Sequence, residues 1–259
     1  MVFDAWTEQL ARFLLVLARV AGIFSIAPVL GQHQVPGQVR IILAAALALA
    51  IAPIAPMPDP GVLSGNLQFV LAAAREGMVG LAIGFTAQLV VSAVIIAGEM
   101  IDYQMGFGLS GSVDPITNVQ MPTIAKFLQM VVTIVFLVVG AHHFLIKALA
   151  DSFLVIGTGE SVNFGAAAKP VLDLFVQVLL TGLKVAAPIV GVLLLCDLAL
   201  GLAARTTPQM NLLMVGFPLK IGVGLLAVLV AFPIFHVVMG SMTANLYGDV
   251  LVVVRALGK

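Results

Sequence analysis

Two carboxylates, Glu99 and Asp102, lie three residues apart in the stretch Gly98–Pro122, the longest interruption in an otherwise apolar chain. At helical spacing the two side chains would face the same way, and carboxylates within a membrane segment are typical of proton or cation sites. A secondary transporter that couples ions through Glu99 and Asp102 is therefore one hypothesis. The alternative is that both carboxylates lie at a helix end, in contact with water or a neighbouring subunit.

Three glycines in the same stretch, Gly106, Gly108 and Gly111, spell the motif GxGxxG. This motif binds a dinucleotide only where it follows a strand and opens a helix. Neither flank has that pattern here, so we do not expect a dinucleotide site.

Ser110 lies in the sequence GLSG, which resembles the nucleophile motif of rhomboid-type intramembrane serine proteases. In such an enzyme a histidine from another helix would activate the serine, and this chain offers His142, His143 and His236. The glycine-and-alanine pattern that precedes the histidine of that family is missing, however. Proteolysis is an alternative hypothesis that depends entirely on Ser110.

Few residues are suited to bind a metal. The pair His142–His143 has no carboxylate or cysteine nearby at ligand spacing. The single cysteine, Cys196, lies in an apolar run, which excludes an intramolecular disulfide and a cysteine cluster. We expect no metal, no cofactor and no catalytic residue.

Flexible apolar side chains gather at the same interruption, namely Met100, Met105, Phe107, Leu109, Met121 and Met130. Methionine adapts to irregular surfaces and to varied partners, and an apolar constriction can close a pore by excluding water. The cluster indicates a deformable seal that blocks ions yet yields to a passing chain. Ordinary core packing is the alternative interpretation.

The composition defines the class of protein. The 259 residues are 61% hydrophobic and 9% charged, with a mean hydropathy of +1.17, whereas soluble domains carry about 25% charged residues. The chain is therefore predicted to be an integral membrane protein. Its 12 basic and 12 acidic residues give no net charge, so we expect no nucleic-acid partner.

Apolar runs of helical length must position these residues. We predict an all-α membrane protein of long kinked helices and helical hairpins, forming a single subunit over residues 1–259. Residues 1–98 are the N-terminal helices, 99–123 a glycine- and proline-rich central loop, and 124–259 the C-terminal helices and hairpin. The runs cover about residues 10–30, 39–57, 67–97 and 124–156, a glycine-rich run ends at Pro233, and a last apolar stretch covers residues 241–259.

Two features of the N-terminal runs predict contacts between helices. Gly77, Gly80, Gly84 and Gln88 repeat at intervals of three and four residues, which predicts a groove where another helix approaches closely. Arg19 lies at the centre of the first run, where a charged side chain requires a partner helix or water.

An antiparallel hairpin is predicted where the chain turns through Pro208 and Gln209. Asp197 and Lys220 lie about equally far along its two arms, so the hairpin would bring them to the same depth. Because an unpaired charge in hydrocarbon is costly, we predict that Asp197 and Lys220 form an ion pair.

Several segments together resemble one family, the R subunit of the flagellar type III export gate, or FliR family, whose virulence counterparts belong to injectisomes. The similar segments are RVAGIFSIAPVLGQHQVPGQVR from Arg19, EGMVGLAIGF from Glu76, GEMIDYQMG and VDP in the central loop, and DLALGLAARTTPQMN with VGFPLK from Asp197 to Lys220. The resemblance extends along nearly the whole chain, and it is specific only when the segments are taken together.

The resemblance implies a non-enzymatic subunit of a protein export channel in the bacterial inner membrane, within the flagellar basal body. Its partners would be the P and Q subunits, with which it forms a helical pore, together with the large export-gate and switch subunits. Unfolded polypeptides would be the exported substrates. In such assemblies much of this subunit lies above the bilayer plane rather than spanning it.

The resemblance also assigns roles to residues. In the family the central loop plugs the pore, which here implies Met105, Gly106, Phe107, Gly108, Leu109, Ser110, Gly111, Val113 and Met121. The residues expected to anchor the loop are Glu99, Asp102, Asp114 and Pro115. The residues expected to hold the hairpin or its subunit contacts are Asp197, Arg205, Pro208, Gln209 and Lys220.

Overall fold

The computed structural model describes residues 2–29, 31, 35–63, 65–107, 123–206 and 212–258. These residues form eight helices and no strand, which confirms the prediction of an all-α protein. The helices are α1 (Val2–Ile26), α2 (Gly37–Ile51), α3 (Pro60–Leu63), α4 (Asn66–Met105), α5 (Thr123–Val138), α6 (Ala141–Val155), α7 (Phe164–Thr206) and α8 (Leu212–Leu257).

Four of the described helices, α1, α4, α7 and α8, contain a segment that is long and apolar enough to cross a membrane. The last three have apolar segments of 40, 43 and 44 residues, whereas a bilayer needs only about 20 residues. Only 22% of the most apolar window of α7, and likewise of α8, is buried within the chain. Lipid or neighbouring subunits must cover the remainder of these apolar surfaces.

The run predicted over residues 124–156 is divided into two helices. Helices α5 and α6 meet at an angle of 65° and together form a fifth candidate span. The break falls at Gly140, whose φ of 74° lies in the left-handed region that ends a helix.

Two other boundaries differ from the sequence prediction. Helix α4 extends to Met105, so the central loop begins later than residue 99, because residues 99–105 are compatible with a helix and the first turn-forming glycine is Gly106. Helix α8 also continues through Pro233, where the sequence predicted that the run would end, and it contains Pro218 as well. Proline is tolerated inside membrane helices because neighbouring groups satisfy the carbonyl groups that it leaves unpaired.

The described contacts divide the chain into two compact units. The first contains residues 1–90, 136–176 and 243–259, and the second contains residues 91–135 and 177–242. Helices α4, α7 and α8 each contribute residues to both units.

In the first unit, α1 packs backbone to backbone against α4. A Cβ atom built on Gly80 would overlap the carbonyl oxygen of Arg19, and one built on Gly22 would overlap the carbonyl oxygen of Gly77. A Cβ on Gly84 would lie 3.0 Å from the carbonyl oxygen of Ile23. These distances confirm the predicted close approach at Gly80 and Gly84, whereas a Cβ on Gly77 would lie 3.9 Å from the carbonyl oxygen of Ala18, an ordinary contact distance.

Arg19 projects from this interface into a set of polar contacts that we call the Arg19 cluster. Its side chain is 0% exposed. Arg19 Nε lies 2.5 Å from Glu76 Oε2 on α4, Nη1 donates to Ser152 Oγ on α6 at 2.9 Å, and Nη2 donates to the Ile156 carbonyl at 3.2 Å. One guanidinium group therefore joins three helices of the first unit.

Arg19 and Glu76 each have one further partner in the Arg19 cluster. The guanidinium carbon of Arg19 lies 3.9 Å from the centre of the Phe153 ring, in cation–π geometry. Glu76 Oε1 accepts a hydrogen bond of 2.7 Å from the backbone N–H of Gly159, whose φ of 81° favours glycine. Each carboxylate oxygen of Glu76 thus has a donor, as a buried charge requires.

Candidate functional site at the base of the central loop

Asp102, in the last turn of α4, holds the beginning of α5. Its side chain is only 4% exposed, and its two oxygens accept hydrogen bonds from the backbone N–H groups of Ile124 at 2.9 Å and Ala125 at 2.8 Å. The first N–H groups of a helix have no partner within the helix, and they carry its positive partial charge. One carboxylate therefore connects the two helices that flank the central loop.

A close contact between α4 and α5 places the Asp102 carboxylate next to the first N–H groups of α5. A Cβ built on Gly98 would lie only 2.5 Å from the Cα of Ala125. Because Asp102 follows Gly98 by one helical turn, its side chain lies on the same face and meets the end of α5. Glycine at position 98 is thus a requirement of the geometry.

We expect Asp102→Ala to lower the free energy of unfolding by about 2 kcal/mol, the upper range for loss of a helix cap. The reason is that the N–H groups of Ile124 and Ala125 would lose their shared acceptor. Asp102→Asn retains one acceptor oxygen and should lose less. The measurement is the thermal midpoint of the detergent-purified protein, with the exposed Asp173→Ala as control. Equal midpoints for Asp102→Ala and Asp173→Ala would contradict the capping role.

The last residues of α4 are fixed against α8. Met105 is fully buried, and a Cβ built on Gly224 would lie 2.8 Å from its sulfur atom. The next residue, Gly106, leaves the helix with a φ of 93°. A Cβ on Gly106 would lie 2.5 Å from Cε1 of the Phe217 ring. Both its backbone conformation and its surroundings therefore require glycine at position 106.

A second carboxylate joins the same end of α4 to the hairpin of α7 and α8. Lys220 Nζ lies 2.7 Å from Asp197 Oδ1, so the ion pair predicted from the hairpin is present. Gln104 Nε2 donates to the other oxygen, Asp197 Oδ2, at 2.9 Å. Asp197 thus joins α4, α7 and α8. We call Asp102, Gln104, Met105, Gly106, Asp197 and Lys220 the loop base.

Glu99 and Asp102 face different neighbours. Asp102 is buried against α5, whereas Glu99 is exposed on a cleft between α4 and α7. Glu99 makes no ion pair or hydrogen bond within the part of the chain that the structure describes. The structure therefore does not join the two carboxylates into one ion-binding site.

The other predicted site residues are placed as follows. Phe107 is partly exposed, directly after the turn at Gly106, and Arg205 is exposed in the last turn of α7. The predicted residues that lie outside the described ranges are Gly108, Leu109, Ser110, Gly111, Val113, Asp114, Pro115, Met121, Pro208 and Gln209.

Sequence reasoning missed Gln104 of the loop base, and it also missed Phe217 and Gly224, which pack against Gly106 and Met105. Gly224 belongs to a glycine-rich run in α8, and such small residues could have signalled a close contact. Gln104 and Phe217 carry no signal of their own, because their roles depend on which helices meet.

Comparison with known proteins identifies the family. Residues 10–246 match the family described as "Bacterial export proteins, family 1". The chain belongs to this family. The match covers all the described residues of the loop base, from Asp102 to Lys220.

Curated members of the family are similar over almost the whole chain. The chain is 36% identical over 233 residues to "Flagellar biosynthetic protein FliR" of Bacillus subtilis, covering 89% of each protein. It is 35% identical over 256 residues to the Escherichia coli protein of the same name, covering 96% of this chain and 95% of that protein. Identity to the Aquifex aeolicus protein is 30% over 234 residues, or 90% of each.

Proposed function

We propose that this protein is a subunit of the flagellar protein export apparatus and that its central loop closes the export pore. Family membership and the relatives named "Flagellar biosynthetic protein FliR" support the first part. The second part rests on the loop base. We further propose that the subunit lies in the bacterial inner membrane, within the flagellar basal body, and that it has no enzymatic activity.

The observation that carries the pore-closing role is the attachment of the loop at both ends. Asp102 connects α4 to the first N–H groups of α5, while Met105 and Gly106 are packed against α8. A pore closure has to remain in place against an electrochemical gradient when no substrate is passing, and a firmly held base supplies that resistance. We therefore assign Met105 to anchoring rather than to the seal, because its side chain is fully buried.

The composition of the loop suits a seal that opens for a polypeptide. Phe107, Leu109, Val113 and Met121 are apolar, and they are interspersed with glycine and serine. Apolar narrowings exclude ions by dewetting, and flexible apolar side chains can rearrange around an unfolded chain. The seal would thus separate when a substrate pushes through and close again afterwards.

The partners of this subunit follow from the same proposal. The exposed apolar surfaces of α7 and α8 are available to the P and Q subunits of the export gate. The large export-gate and switch subunits would lie nearby, and unfolded flagellar polypeptides would pass through the pore.

Deletion of residues 106–112 tests the closure. The assembled apparatus should still be recovered, because Asp102 and the hairpin contacts remain. The conductance of bilayers or vesicles containing it should rise by at least an order of magnitude, since ions would no longer meet an apolar barrier.

Ser110→Ala is the matched control for this deletion. It removes one hydroxyl group from the same segment and should leave conductance and export unchanged. An assembled apparatus that stays closed to ions after the deletion would disprove the pore-closing role. Loss of export in Ser110→Ala alone would instead favour the protease hypothesis.

A further inference from the structure

An open cleft of about 580 Å³ lies beside the loop base, between the end of α4 and the middle of α7. Ile96, Met100 and Tyr103 form part of its α4 wall, and the other wall is also mostly apolar. Tyr103 is 79% exposed. On a membrane protein, an open apolar cleft is covered either by lipid or by another protein segment.

Glu99 is the charged residue of this cleft. Its carboxylate is exposed and makes no ion pair or hydrogen bond within the described ranges. An apolar molecule that fills the cleft would remove this carboxylate from water, and a buried charge is stable only with a compensating partner. The occupant should therefore carry a positive charge as well as apolar surface.

The wall formed by α7 is suited to a helix. It contains Ala186, Ala187 and Gly191, and a Cβ built on Gly191 would meet no atom within 4 Å. Small residues along one helix face allow the backbone of a second helix to approach closely. The cleft thus combines a shallow small-residue wall with an opposing carboxylate.

We propose that the cleft docks an apolar helix of a partner subunit, and that a Lys or Arg of that helix pairs with Glu99. Residues 108–122 of this chain cannot supply the charge, because they contain no basic residue and include Asp114. A lipid acyl chain would cover the apolar walls but leave Glu99 unpaired. An apolar helix with one basic residue would cover both apolar walls and also pair with the Glu99 carboxylate.

The docked helix would contact the loop base directly. Gln104 lines the cleft and also donates to Asp197. A partner in the cleft therefore limits the movement of the last turn of α4, from which the central loop begins. This proposal rests on the proposed role as an export apparatus subunit, because it requires a membrane-embedded partner.

Photo-crosslinking of the assembled apparatus in membranes tests the proposal. The probe is Tyr103→p-benzoylphenylalanine, at an exposed position of the cleft. We expect a crosslink to an apolar segment of another subunit that contains a Lys or Arg. Glu99→Lys in the same chain should reduce the yield at least about tenfold, because it places like charges together.

Two further variants make the result specific. Reversing the identified basic residue to Glu in the partner should restore the yield in the Glu99→Lys background. Asp173→Lys changes an exposed carboxylate on α7 outside the lining of the cleft and should leave the yield unchanged. A yield that does not respond to Glu99→Lys, or a probe that labels only lipid, would overturn the proposal.

Failure of the docking site and failure of the pore-closing role give different results. If the loop deletion described above does not raise conductance but the charge reversal restores crosslinking, then the docking site stands and the pore-closing role fails. If conductance rises but Glu99→Lys has no effect on crosslinking, the pore-closing role stands and the docking site fails.

Discussion

Arg19→Ala should lower the free energy of unfolding by about 3–5 kcal/mol, as expected when one partner of a buried ion pair is removed. The substitution would leave Glu76 buried at 3% exposure without its counter-ion. It would also remove the donors to Ser152 Oγ and to the Ile156 carbonyl. Three helices of the first unit would lose their common polar contact at once.

The measurement is the thermal midpoint of the detergent-purified protein, which should fall by roughly 10 °C. Arg75→Ala is the matched control, because Arg75 precedes Glu76 and is exposed. It should change the midpoint by no more than about 1–2 °C, as surface substitutions do. A similar midpoint for Arg19→Ala and Arg75→Ala would show that the Arg19 cluster contributes little.

The double variant Arg19→Met/Glu76→Leu separates the ion pair from its surroundings. Replacing both charges by apolar groups avoids an unpaired charge, so the loss should be smaller than for Arg19→Ala alone. Some loss should remain, because the Gly159 N–H and the Ile156 carbonyl would have no partner from the cluster.

Gly80→Ala should destabilise the protein by about 3 kcal/mol or more, since backbone cannot yield as a side chain can. The added methyl group would overlap the carbonyl oxygen of Arg19, so α1 and α4 would have to separate. That separation would also displace Arg19, whose side chain makes the hydrogen bonds and the ion pair of the Arg19 cluster.

Gly222→Ala provides a control of opposite sign. A Cβ at Gly222 in α8 would meet nothing within 4 Å, and alanine favours a helix over glycine by about 0.5–1 kcal/mol. The thermal midpoint should therefore fall for Gly80→Ala and rise slightly for Gly222→Ala. If the two substitutions shift the midpoint in the same direction, the close contact between α1 and α4 is not what requires glycine at position 80.

Much of the fold could be predicted from the sequence. The groove at Gly80 and the pair Asp197–Lys220 could both be predicted, because regular spacing and hairpin symmetry fix which residues face each other. The partner of Arg19 could not be predicted from the sequence. Arg75 and Glu76 are adjacent in the sequence, and only the rotation of α4 decides that Glu76 is buried and Arg75 is exposed.

The loop base could be predicted in part. An anchoring role for Asp102 was expected from the resemblance, but the backbone N–H groups that donate to its carboxylate were not, because such groups leave no trace in the sequence. The central loop was predicted to begin at Glu99, whereas α4 continues to Met105. Residues 99–105 are polar enough to suggest a loop, yet the contacts of Asp102 with α5 and of Met105 with α8 hold this segment in a helix.

Joining α4 to α5 through Asp102 also affects how the loop can change in evolution. Because both stems are fastened together, extra residues inserted between them enlarge a closed ring instead of pushing the helices apart. The entropic penalty grows only by about 0.6 kcal/mol for each doubling of ring size. A longer loop could thus be acquired without redesigning the rest of the subunit.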